Sequence, residues 1–152
     1  MYKSFKEMPI WNDAMNLAEE IYKLSENFPK KEDYGLTSQL RRAALSISAN
    51  IAEGYGRNHT LDKVNFYYFS RGSITETQNH IEYCLRAGYI KADAAKSFEE
   101  KLNKLYNDIN KIILSLKNVN YDSTYTFTFS STCTCLQVGG REGKGESEGL
   151  RE

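Results

Sequence analysis

The chain has little proline: two in 152 residues, Pro9 and Pro29. Glycine is sparse before Gly139, so long helices meet few residues that would break them. No stretch approaches the roughly 18 consecutive apolar residues a membrane-crossing helix needs. The opening Met1 to Lys6 leads into Glu7 rather than the apolar core of an export signal, and a soluble, cytoplasmic protein is expected, with no membrane partner. Net charge is also missing, with 20 basic residues against 20 acidic. That excludes the global positive field of a histone-like binder, although local patches remain open. The three cysteines, Cys84, Cys133 and Cys135, are an odd number, and two of them stand one residue apart in a polar segment. They suit a reducing compartment better than a disulfide framework. What the chain does have is a 40% hydrophobic fraction, enough for one domain with a real core.

Those apolar residues recur at gaps of four and three through residue 117, the rhythm of helices that bury one stripe. The first repeat is Ile10, Ala14, Leu17, Ile21, Leu24, Phe28, introduced by Pro9. The last is Phe98, Leu102, Leu105, Ile109, Ile112, Leu116. Between them the pattern predicts helices over 36–54 and 61–87, with Thr60 as N-cap and Gly88 as the stop. The separators are short, so neighbours must run antiparallel. The expected fold is all-α, an antiparallel up-down-up-down four-helix bundle over residues 1–117 with a poorly ordered C-terminal tail over 118–152. Asn118, Asn120, Asp122 and Ser123 should end the last helix. Near 124–130 Tyr125, Phe127 and Phe129 alternate with threonines at a strand-like period, readable as an edge strand, an oligomer contact or an unstructured segment. With no sheet to join, poor order is the expectation there. The body carries 17 basic and 15 acidic residues, the tail 3 and 5.

The second helix carries more than a core stripe. On a wheel of about 100° per residue, Leu36, Leu40, Ala43, Ala44, Ile47, Ile51 and Gly54 form the buried sector. Beside it Gln39, Arg42, Ser46, Asn50, Glu53 and Arg57 make a continuous polar ladder, with Glu53 placed to pair with Arg57. A third sector holds Leu45, Ala49 and Ala52. It is readable as an interface with another helix or subunit, or as helix-forming filler. The ladder has three readings: a buried network, a solvated face, or a site gripping a charged partner.

Catalytic and metal patterns fail on spacing. A di-iron bundle needs Glu three residues before His, but Gly56 precedes His59 and Thr77 precedes His80 at that distance. Glu76 and His80 are four apart, a spacing more typical of surface hydrogen bonding. Cys133 and Cys135 lack further zinc ligands. Gly139 to Gly145 lacks the Ser/Thr, strand and helix of a phosphate loop, and Ser73 has no nucleophile-elbow frame. No metal site, cofactor or catalytic residue is expected. An enzyme using Glu53 or Glu76 with His80 is the weakest reading and requires those side chains to converge on a pocket. Arg41, Arg42, Arg57, Lys63 and Arg71 gather in sequence with Tyr55, His59, Tyr67 and Tyr68, the residue types that hold phosphates and stack unpaired bases.

The segment Phe28-Pro29, then Tyr34 to Ala44, Ser46 to Gly54 and Arg57, resembles the signature of the 23S rRNA intervening-sequence four-helix-bundle family. Arg71 to Glu76 and Gly88-Tyr89-Ile90 resemble its later motifs, and the likeness spans most of residues 5–117. The most specific part is Asn50-Ile51-Ala52-Glu53-Gly54 with Gln39 and Arg42. The resemblance implies an all-helical protomer assembled into a barrel-like homopentamer, without enzymatic activity. It also implies kinship with the accessory variability determinant of diversity-generating retroelements, a basic pentamer that binds nucleic acid and a reverse transcriptase. The near-neutral charge departs from that relative and weighs against tight nonspecific binding. With the resemblance in hand, the ladder reads as a polar seam that fixes packing register, inside the bundle or between subunits. Gly72 and Ser73 then allow a close approach to a neighbour.

The expected function is a homo-oligomeric adaptor, a pentamer by that resemblance, that presents basic and aromatic surface to RNA or DNA or to a partner such as a reverse transcriptase. Arg41, Arg42, Arg57, Lys63 and Arg71 would contact phosphate, with Asn50 and Glu53 organising the site. The competing expectation is a structural or protein-interaction scaffold without nucleic-acid binding.

Overall fold

In the computed structural model, which describes residues 2–125, four helices follow a short 3-10 turn: α1 (Pro9–Ser25), α2 (Leu36–Gly56), α3 (Thr60–Arg86) and α4 (Ala92–Tyr125). Each packs on the next and α4 closes back on α1. Ser70 sits against Ile47 and Lys63 against Gly54, so α3 descends as α2 rises. Arg71 meets Asn110 and Gln78 meets Asn103, which sets α4 antiparallel to α3 in the same way. The fold is therefore the antiparallel four-helix bundle that the apolar rhythm predicts. None of its described helices is long and apolar enough to cross a membrane.

The core lies where the stripes point. Ile10, Ala14, Leu17 and Ile21 of α1 meet Leu40, Ala44, Ile47 and Ile51 of α2, Val64, Ile74 and Ile81 of α3, and Leu102, Leu105 and Ile109 of α4. Ser70 is fully buried and spends its hydroxyl on the Ile47 carbonyl at 2.9 Å, so its polar atom is satisfied where water cannot reach it. Gly54 marks the tightest approach: a Cβ there would lie 3.3 Å from Phe66 Cβ and 3.4 Å from the Lys63 carbonyl. At the other end the α1–α2 loop is tied to the α3–α4 turn, where the Tyr89 hydroxyl donates to Glu32 Oε1 at 2.9 Å and Phe28 packs on the Tyr89 ring.

Several boundaries differ from the sequence expectation. The N-cap of α3 is His59 rather than Thr60, with no side-chain cap bond. The core register of α4 shifts at its end: Ile113 is buried, whereas Ile112 and Leu116 are only partly covered. One cause is intrinsic, since a 3.6-residue helix drifts against a strict heptad. The helix also runs past Lys117 to Tyr125, because isolated Asn, Asp and Ser weaken a helix without ending it as proline would. Thr124 and Tyr125 of the expected 124–130 strand are helical. Its remainder and the rest of the tail lie outside the described residues.

Gly88 ends α3 as expected. Its φ of +76° is the left-handed conformation, and it lets the Tyr89 N–H reach the Cys84 carbonyl at 2.9 Å and the Gly88 N–H reach Leu85 at 3.0 Å. Gly88→Ala should therefore cost about 1 kcal/mol, read as a lower denaturant midpoint with unchanged helicity. Burial also pushes the Cys84 thiol from 9.0 up to about 11. The folded chain then holds a proton that the unfolded chain has released, so stability falls as pH rises from about 9 toward 11. Cys84→Ala should make that alkaline decline shallower in pH-dependent urea melts.

Candidate nucleic-acid interface

Because α2 buries one stripe between α1 and α3, its other two sectors emerge on the outside. Gln39, Arg42, Glu53 and Arg57 are exposed, and Ser46 and Asn50 half-buried. The ladder is thus not a network locked inside the protomer. Its bonds are local: Asn50 Nδ2 donates to the Ser46 carbonyl at 2.8 Å, and Arg57 pairs with Glu53 while lying 4.5 Å over the Phe66 ring. On the other flank Leu45 is 53% exposed, Ala49 is exposed and Ala52 partly so. Leu45 borders an apolar hollow with Met15, Ala18 and Tyr22 of α1. An apolar strip rimmed by polar groups thus covers the outer surface of α2.

The five basic residues do not form one patch. Arg41 is turned toward α1, where Nε donates to Ser25 Oγ at 2.7 Å and the guanidinium lies 4.2 Å over the Tyr22 ring. Arg57 belongs to the α2–α3 seam, and Lys63 lies half-buried in the first turn of α3. Arg42 projects freely from α2. Arg71 faces the opposite way from Arg41, toward α4. Nor are all the neighbouring aromatics available: Tyr67 is buried, which raises its phenol above the usual value, and Tyr55 donates to the Tyr2 carbonyl at 2.9 Å.

Arg71 is where charge and aromatic surface do meet. Its guanidinium lies 4.9 Å from the Tyr68 ring centre and 5.6 Å from that of Tyr106, and Nη1 donates to Asn110 Oδ1 at 2.9 Å. Lys117 approaches the same Tyr68 ring at 5.3 Å. Beside this cluster an open groove of about 600 Å³ is lined by Arg71, Gly72, Thr75, Glu76, Asn79 and Tyr106. Gly72 borders it as an exposed residue, and a Cβ there would meet nothing within 4 Å. The close approach expected at Gly72 and half-buried Ser73 is therefore not made within the protomer, where Gly54 provides it instead. Tyr106, Asn110 and Lys117 went unnoticed in the sequence. The spacing of Tyr106 and Asn110 puts them on one helical face, but only the α3–α4 register brings that face to Arg71.

The acid and base groups do not share one pocket. Glu76 Oε1 stands 3.8 Å from His80 Nε2 on the same helix, whereas Glu53 pairs with Arg57 beside Phe66. Phe66 and Glu76 are separated by about 15 Å of helix. His80 borders a different cleft, with Glu32, Leu36 and Tyr83. Its Nε2 is buried without a hydrogen-bond partner, as is Thr37 Oγ1. Among the described residues no three His, Cys, Asp or Glu side chains are grouped to hold a metal ion.

Comparison with known proteins agrees with this architecture. A crystal structure of a protein of unknown function from the S23 ribosomal protein family of Bacteroides thetaiotaomicron matches with a TM-score of 0.62 at 22% identity. The match covers 68% of this chain and 97% of that one, a likeness of fold. The search of curated proteins returned no match. The family model described as 23S rRNA-intervening sequence protein matches residues 6–111, well over half of the chain, and the chain belongs to that family.

Proposed function

We propose that the protein is a non-catalytic homo-oligomeric adaptor that binds RNA, with α2 forming its subunit contact and the Arg71 cluster its phosphate and base contact. The observation that carries the RNA reading is Arg71 itself. An arginine held near two tyrosines, with a second cation over one of them and an open groove alongside, has the parts used to grip single-stranded nucleic acid. The family name associates its members with 23S rRNA intervening sequences, which makes RNA the first polymer to test. DNA and an RNA-handling protein such as a reverse transcriptase are the other partners of the same reading.

Assembly is supported by the outer surface of α2. Leu45, Ala49 and Ala52 form an apolar centre, while Gln39, Arg42, Asn50 and Glu53 supply a polar rim. The ring of five implied by the family resemblance would repeat each weak groove around one particle and raise avidity without new contacts. Arg42, Arg57 and Lys63 would then add charge beside the rim, and Arg41 would hold α1 in place.

A scaffold without nucleic-acid affinity is the competing reading, favoured by the near-balance of charge. Light scattering on the native protein should give several times the protomer mass, and Leu45→Glu should raise the subunit dissociation constant at least about ten-fold. A monomeric native protein would end the assembly reading. With a single-stranded RNA probe, affinity should fall as salt rises, and Arg71→Ala should weaken binding and reduce the log–log salt slope by about one. No RNA binding at low salt would leave the scaffold.

A further inference from the structure

We infer that the groove between α3 and α4 reads unpaired guanine, with Glu76 as the residue that selects the base; this rests on the RNA reading and assigns its specificity. The lining holds the three kinds of group that such recognition requires. Arg71 lies over the Tyr106 ring and lines the groove with it, and Arg71 spends one guanidinium nitrogen on Asn110 while other donors remain for phosphate. Gly72 leaves open space where any side chain would begin to fill it. At about 600 Å³ and open to solvent, the groove leaves a base room to lie along its surface.

Glu76 sets the choice. Its side chain is 55% exposed, it lines the groove, and it stands one helical turn beyond Gly72. A carboxylate has acceptors only. Guanine presents two adjacent donors on its pairing edge, N1–H and the N2 amino group, and a carboxylate can take both at once. Adenine offers an acceptor at N1 and has no amino group at C2. Uracil and cytosine each present at least one acceptor toward the same oxygens. An acidic residue beside Arg71 opposes a polyanion, and Glu76, whose Oε1 stands 3.8 Å from His80 Nε2, keeps further acceptor sites open for such a donor pair. Asn79, exposed along the same lining, carries both a donor and an acceptor for the remaining edge of the ring.

The experiment compares uridine oligoribonucleotides carrying one central guanosine, adenosine or inosine, titrated against the intact protein by fluorescence anisotropy. The guanosine oligomer should bind on the order of ten-fold tighter than the adenosine one, and inosine, which lacks the N2 donors, should fall between them. Glu76→Gln should abolish the guanosine preference, whereas Arg71→Ala should weaken binding of every oligomer together. Helicity by circular dichroism checks that each variant is folded. Equal binding of the guanosine and adenosine oligomers, or a guanosine preference that survives Glu76→Gln, overturns the assignment while leaving RNA binding intact. Failure of every oligomer to bind at low salt overturns both.

Discussion

The close antiparallel seating of α2 on α3 is the constraint on which the rest of the molecule depends. Gly54 lets the backbones approach until Phe66 and the Lys63 carbonyl lie at contact distance, and the Ser70 hydroxyl fastens the same seam to Ile47 farther along. A helix held that closely can bury only a narrow stripe. The polar ladder and the apolar strip of α2 are consequently left outside, on either side of the seam. The same seating orients α3 so that Arg71 turns away from α2 and into the α3–α4 face.

That geometry separates two surfaces that lie intermingled along the sequence. The apolar strip of Leu45, Ala49 and Ala52 occupies the outer side of α2, and the groove beside Arg71 lies beyond α3. The two do not compete for the same side chains. Arg41 and Arg57, which look in sequence like free cations, are employed locally against Tyr22 and Phe66. Their guanidinium groups cover aromatic rings at the surface, a packing role as much as an electrostatic one.

Much of the fold was legible because it rests on periodicity. The stripes of α1 and α2, the short connections and the Gly88 stop are all local properties, and they appear in the structure as read except that Leu24 and Leu36 are only partly covered and Phe28 lies beyond the end of α1. What was not legible depends on register between helices. Nothing in the spacing of α4 says that Asn110 will meet Arg71, or that Lys117 will reach Tyr68. Exposure was equally hidden: a stripe of Gln, Arg, Ser, Asn and Glu reads the same whether buried or wet, and only packing shows that Gln39 and Arg42 face outward. The close approach read for Gly72 and Ser73 is not made inside the protomer, and the glycine that presses against a neighbouring helix is Gly54, which the wheel places in the core stripe.

The seam between α1 and α4 differs in kind from the others. It is the slightest of the four, and its exposed rim is bridged by ion pairs, Asp13 with Lys104 and Glu20 with Lys101, which join residues 91 and 81 positions apart. The loops closed by those contacts are the longest in the bundle, and exposed ion pairs contribute little to offset the entropy of closing them. The α1–α4 seam is therefore the one whose opening would leave the three seams between consecutive helices in place.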